Sequence, residues 1–427
     1  MFLILVGTNL PAAEETSGMN ELDRRVAALL ERMTIDEKIG QMSQVNADQD
    51  KIPSELRAAL RSGHIGSILN QVNVDVVNEM QRIAVEESRL GIPLLMGRDV
   101  IHGFKTILPI PLGQAATWNP ELVRKGARAA ALEAASTGVN WTFAPMIDIS
   151  RDARWGRIAE SFGEDPYLTG VLGAAMVKGF QGDDFSQTGN IAACAKHFAG
   201  YGASESGRDY NTTNIPENEL RNVYLPPFKA AIDAGVATLM TSFSDLDGVP
   251  ASGNRFLLKQ VLRDEWKFDG FVVSDWASIE QLTIHGFTAN GKEAAFEALS
   301  AGLNMDMASN TYAKHLPELV GEGRVTMPQL DEMVADILRV KFRLGLFEDP
   351  YTDSADYPPL AGPENLKVAE QLARESIVLL ENRAGELTGV ASKLAEEHVN
   401  LEATHVVGLT DDLSDLAIVS DNVKKAK

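Results

Sequence analysis

The stretch Phe271-Val272-Val273-Ser274-Asp275-Trp276 sets three apolar residues directly before a carboxylate and an indole. A short apolar run closed by polar residues reads as a buried strand of a parallel sheet. The pattern recurs outward in both directions. Similar runs, bounded by Gly, Pro or Asp, lie at 65–69, 93–96, 140–144, 191–195, 238–242 and 303–305. Helical patterning separates most of them, as at 120–135 and 327–344. An early helix opens on Thr34 with Glu37 three residues on, a capping box. Strands alternating with helices imply parallel strands joined by crossovers.

An open doubly wound sheet and a closed barrel both give this alternation, and the polar residues separate them. Asp99, Asp148, Lys196-His197, Asp275 and Asp306 each follow a different apolar run. A barrel gathers all its strand ends around one mouth, whereas an open sheet brings only two or three together. The expected fold class is therefore α/β, a (β/α)8 TIM-type barrel.

Composition bounds what such a barrel binds. With 39 basic and 60 acidic residues the formal charge is −21, which repels nucleic acid and other polyanions. The chain holds no dinucleotide fingerprint, P-loop or His-Glu-x-x-His string, and its seven histidines are scattered. No metal and no cofactor are expected. Cys194 is the single cysteine, so no intrachain disulfide forms; its alanine neighbours place it on a buried strand as a small hydrophobe. Residues 2–6 are apolar and precede Pro11-Ala12-Ala13-Glu14, the tail of a secretory signal without its basic start. The expectation is a periplasmic or secreted protein with no membrane span.

Four strings then carry a family likeness: Gly97-Arg98-Asp99-Val100-Ile101-His102-Gly103; Ala153-Arg154-Trp155-Gly156-Arg157 with Phe162-Gly163-Glu164-Asp165-Pro166; Ala195-Lys196-His197-Phe198; and Val273-Ser274-Asp275-Trp276. Together, in this order and spacing, the sequence resembles glycoside hydrolase family 3, and most of all its bacterial periplasmic β-glucosidases. The resemblance runs from about Leu22 and fades near Leu380. It implies that Asp275 is the catalytic nucleophile of a retaining β-glucosidase and that Asp99 grips sugar hydroxyls at the far end of the glucosyl site. It implies that Arg157, Lys196 and His197 bind further hydroxyls and that Trp276 lines the entrance. The implied substrate is a β-glucoside or short gluco-oligosaccharide.

The chemistry of these side chains agrees. Sugar hydroxyls donate and accept, so Asp, Arg, Lys and His satisfy them in pairs. A retaining nucleophile must be an ionised carboxylate, and nearby Lys and Arg charges are expected to keep Asp275 so. Each residue also has a structural reading. A strand-end Asp is commonly a cap or turn residue, and Asp148 is left on that side. Arg157 has Glu160 and Glu164 within ion-pair spacing. Lys196 resists such a reading, since a charge on a strand of small residues must point at something polar.

A retaining glycosidase also needs a carboxylic acid about 5 Å from its nucleophile. In the β-glucosidases this sequence resembles, that acid is a Glu on a second domain, and the likeness fades where that domain begins; the acid/base is expected to be missing. Another branch of the family uses an Asp-His pair in the loop after Lys-His-Phe. Here Ala199 to Tyr210 lacks that string, which argues against β-N-acetylhexosaminidase and leaves Glu205 and Asp209 as weak substitutes. A non-catalytic sugar-binding barrel is the alternative. The tail, with Glu381-Asn382-Arg383-Ala384-Gly385-Glu386-Leu387, is expected to run strand, helix 385–399, strand, strand. This short βαββ segment resembles an ACT domain cut before its last strand, which implies a homodimer contact. The expected division is a leader or disordered segment at 1–21, barrel at 22–350, linker at 351–375 and tail at 376–427.

Overall fold

The computed structural model describes residues 20–381, 401–408 and 413–420. Eight short strands form the barrel: β1 Ser43–Asn46, β2 Ser67–Leu69, β3 Leu95–Arg98, β4 Trp141–Thr142, β5 Cys194–Phe198, β6 Thr238–Thr241, β7 Phe271–Val273 and β8 Asp306–Met307. Parallel ladders join β8 to β1 and run on through β4, and a second set joins β5, β6 and β7. Parallel bridges close both gaps, Trp141 with Ala192 and Met146 with Lys196 on one side, Val273 with Met305 on the other. The ring is complete and every pairing in it is parallel, as the alternation and the strand-end polar residues required.

Seven of the strands fall on or beside the expected runs; β1 does not. Ser43-Gln44-Val45-Asn46 is too polar to register as a buried strand, yet Ser43 and Gln44 are buried. Their polarity is absorbed by neighbours, with Gln44 Nε2 donating to Ser67 Oγ at 2.8 Å and Ser43 Oγ to the Ile39 carbonyl at 3.0 Å. Such pairing lowers the desolvation cost that would otherwise exclude these residues from a barrel wall, though Gln44 Oε1 has no partner among the described residues. At β8 the ladder begins at Asp306, inside the strand rather than after it. Its carboxylate accepts from Ser309 Oγ at 2.6 Å and Tyr312 N at 3.1 Å, so it organises the start of the following helix.

The expected capping box is present at Thr34 and Glu37, starting the helix Ile35–Gln41. Inside the barrel Trp141 packs edge-on against Phe143 and Phe271, with ring centroids 4.7 and 5.1 Å apart, and its Nε1 donates to Thr238 Oγ1 at 2.9 Å. One indole thus ties β4, β6 and β7 together. Cys194 is fully buried in β5.

At the opposite, amino-terminal end of the strands, the helix Met327–Arg343 sends Lys341 inward. Its ammonium is fully buried and donates to Gln41 Oε1 at 2.6 Å and to the carbonyls of Gly66 at 2.9 Å and Pro93 at 2.7 Å. Three donors meet three acceptors, binding the last barrel helix to the entries of β1, β2 and β3.

The segment 351–375, expected as a linker, contains the helix Pro363–Glu375, whose Leu372 packs with Leu108 and Leu122 on the barrel. Beyond it, β9 Val378–Glu381, β10 Leu401–Gly408 and β11 Leu413–Ser420 form an antiparallel sheet in the order β9-β11-β10. The helix expected at 385–399 and the apolar run at 2–6 lie outside the described residues. No described helix is long and apolar enough to cross a membrane.

Replacing Lys341 with Met leaves three buried oxygens without a donor. Urea unfolding is expected to show a loss of about 3 kcal/mol, the scale for orphaned buried polar groups; a loss within experimental error of zero means that the clasp does not stabilise the barrel.

Candidate active site

The carboxyl ends of β3, β4, β5 and β7 bring one cluster together. Lys196 and His197 lie within β5, where successive side chains would normally face opposite sides; both are nevertheless buried on polar partners. Lys196 Nζ meets Asp99 Oδ1 at 2.5 Å, with the lysine side chain 5% exposed and the aspartate 52%. The buried cation therefore anchors a carboxylate whose outer part faces the opening. This is the polar target that a charge on an alanine-rich strand demanded.

His197 is buried between two carboxylates. Its Nδ1 lies 2.7 Å from Asp148 Oδ2, its backbone N–H donates to the same oxygen at 3.0 Å, and its Nε2 is 3.4 Å from Asp275 Oδ2. Asp148 is thus no loop cap. An Asp after a strand is too ordinary to stand out in the sequence; the signal it offers there is its place in the same strand-end series as Asp99 and Asp275. Burial pushes the Asp148 carboxyl up to about 8, against the His197 backbone N–H and the charges of Arg157 and Lys196, which pull it down. Burial, with Arg157 and Lys196 beside it, holds the imidazole well below its usual value.

Asp275 is fixed from several sides. Ser274 Oγ accepts from Met307 N at 2.9 Å and donates to the Asp275 carbonyl at 3.0 Å, which locks the strand end to β8. Trp276 N donates to Asp275 Oδ1 at 2.7 Å. Burial raises the Asp275 carboxyl to about 6, while Lys196, Arg157 and the Trp276 N–H restrain the rise. Desolvation is thus the larger influence on Asp275, and the two cations oppose it.

Arg157 makes the ion pair its spacing allowed and also lies beside the cluster. Its guanidinium forms a two-point ion pair with Glu160 at 2.7 and 2.8 Å, lies 5.6 Å from the Tyr201 ring centre, and adds positive potential at Asp275. Trp276 is 46% exposed and Tyr210 53%, so two aromatic faces stand open to solvent. Tyr210, which sequence reasoning does not single out, packs on Phe243 at 4.4 Å. Burial and then the charges of Asp209 and Asp275 raise its phenol. The loop carboxylates are committed to local structure: Glu205 accepts from Asn214 at 3.1 Å and Asp209 from Trp155 Nε1 at 3.2 Å. A cluster of this kind, with carboxylates, cations, an imidazole and exposed aromatic side chains, suits a ring bearing many hydroxyls.

This barrel mouth, with its strand-end carboxylates and cations, has specific likenesses among known proteins. The chain belongs to glycosyl hydrolase family 3, whose N terminal domain matches residues 34–340. It is 43% identical over 369 residues to a periplasmic beta-glucosidase of Salmonella typhimurium, covering 84% of this chain and 48% of that protein. It is 34% identical over 384 residues to a beta-xylosidase of Formosa agariphila, covering 87% of this chain and 49% of that protein. A beta-glucosidase from Listeria innocua, solved in complex with glucose, superposes with a TM-score of 0.80 at 40% identity, over 85% of this chain and 52% of that one. The chain spans about half the length of these relatives.

Because burial and the two cations act in opposite directions on Asp275, removing one cation moves its titration. Carbon-13 NMR of labelled aspartate is expected to show Asp275 titrating near 6 and moving to higher pH in Lys196→Gln. An unchanged midpoint rules out electrostatic control by Lys196.

Proposed function

We propose that this protein hydrolyses terminal β-D-glucosyl residues by double displacement, with Asp275 as the nucleophile of the barrel domain at about 22–350. Asp275 attacks the anomeric carbon as the glycosidic C–O bond breaks, and the leaving oxygen departs as its anion and takes a proton from solvent; water then cleaves the glycosyl ester, gives its proton back to solvent and regenerates the carboxylate. The observation that carries this reading is the state of Asp275: buried, held by the Trp276 N–H, and close enough to Lys196 and Arg157 to stay ionised at neutral pH. Asp99 and Lys196 grip hydroxyls at the opening, Arg157 and His197 flank the reacting centre, and Trp276 lines the entrance. The names of the Salmonella and Listeria relatives support glucose as the sugar.

Export to the periplasm is part of the proposal, supported by the apolar run at 2–6 and by the Salmonella relative's name. The ACT-like reading of 376–427, with a homodimer contact through it, is carried forward on the three-stranded antiparallel sheet of that segment.

The test is incubation with 2,4-dinitrophenyl 2-deoxy-2-fluoro-β-D-glucoside, whose leaving group departs without protonation, so only the nucleophile is probed. Intact mass is expected to rise by one fluoroglucosyl unit, with the adduct on Asp275 and none in Asp275→Ala. Below about 6 the trapping rate should fall about tenfold per pH unit, because the protonated carboxyl does not attack. Glucose binding without any adduct identifies a sugar-binding barrel instead. Trp276→Ala is expected to weaken substrate binding about tenfold, read as KM, through loss of one aromatic face.

A further inference from the structure

Asp148 and His197 raise a question of proton placement. Asp148 Oδ2 takes the His197 backbone N–H at 3.0 Å and faces Nδ1 at 2.7 Å. On the other side of the ring, Nε2 lies 3.4 Å from Asp275 Oδ2, and among the described residues neither atom has a hydrogen-bond partner. All three side chains are buried. A neutral imidazole carries one N–H. If that proton sits on Nδ1, a bare lone pair faces the Asp275 carboxylate out of water, a repulsive contact. If it sits on Nε2, His197 donates toward the nucleophile, but Nδ1 then needs a donor, and the group facing it is Asp148.

We propose that Asp148 is a positioning residue: as a carboxylic acid it donates to His197 Nδ1 and so keeps the imidazole in the tautomer whose Nε2–H points at Asp275. The proposal rests on Asp275 being the nucleophile. Oδ1 of Asp275 is held by the Trp276 N–H, and in this tautomer the Nε2–H faces Oδ2 from 3.4 Å, so one donor lies on each side of the attacking carboxylate. The charged groups around the array are Arg157 and Lys196, with Glu160 behind the first and Asp99 behind the second, and the Tyr201 ring lies edge-on to the imidazole at 5.1 Å. Burial outweighs the cations at Asp148 and keeps its proton until about pH 8. Above that, Asp148 becomes an acceptor, the imidazole proton moves to Nδ1, and Asp275 loses its second donor.

Asp148→Asn separates this role from simple packing. The amide oxygen still accepts the His197 backbone N–H, but the same atom then faces Nδ1 and demands a proton there, which imposes the other tautomer. The rate of dinitrophenolate release on trapping by the fluoroglucoside is measured against pH in the full chain. Since this leaving group needs no acid, an alkaline limb belongs to the nucleophile's surroundings. The wild type is expected to lose rate above about 8. Asp148→Asn is expected to react about 100-fold or more slowly and to lose that limb, in line with the effect of forcing a wrong histidine tautomer. A variant trapped within a few-fold of wild type, or one retaining the limb, overturns the proposal. Nitrogen-15 NMR of histidine-labelled wild type provides a second test that needs no variant: Nε2–H at pH 7 supports the proposal, and Nδ1–H overturns it. Failure of the wild type to form any adduct refutes the nucleophile reading and this proposal together, whereas an adduct with an unaffected Asp148→Asn refutes only the tautomer role.

Discussion

Asp275 carries its carboxylate out of contact with bulk water at the end of a parallel strand, and an isolated charge in that position costs several kcal/mol. The surroundings of the mouth are the answer to that cost. Lys196 and Arg157 supply opposite charge, the Trp276 N–H supplies a hydrogen bond, and each cation is itself paired outward, with Asp99 and Glu160. The result is an alternating shell of charge in which no ion is left alone. It also explains why four different strands contribute: a single strand end cannot place two cations, an imidazole and three carboxylates within reach of one another.

The barrel makes that convergence possible, and closing it has its own polar demands. A ring of eight strands admits a member as polar as β1 because Gln44 and Ser43 find partners inside the wall. At the opposite end the three carbonyl-type oxygens around Lys341 are met by one ammonium. At the mouth and at the base alike, the buried cation enters the interior with an oxygen partner, Lys196 with Asp99 and Lys341 with its three acceptors.

Much of this was legible in the sequence for simple reasons. Apolar runs such as Phe271-Val272-Val273 mark strands because both faces of a parallel sheet are covered, and the polar residue after each run marks the mouth. Asp99, Lys196, His197 and Asp275 stand out by that placement, and the structure brings all four together with Arg157. Strand β1 was not legible, because its burial depends on Ser67, a residue 23 positions from Gln44. Asp148 was not legible either: Asp148 and Asp306 look alike as strand-end carboxylates, yet one faces His197 and the other starts a helix.

The sequence by itself therefore determined the alternation of strands and helices, the closed parallel class, the family and the identity of the charged residues at the mouth. These follow from local patterning and from short strings that survive without knowledge of distant neighbours. Only the tertiary structure decided which carboxylate sits against which nitrogen, which oxygen is left facing a lone pair, and how far burial lifts Asp275 and Asp148 above the ordinary carboxylate range. Those are properties of distance and solvent exclusion between segments some 50 to 130 residues apart, and desolvation has no signature along the chain.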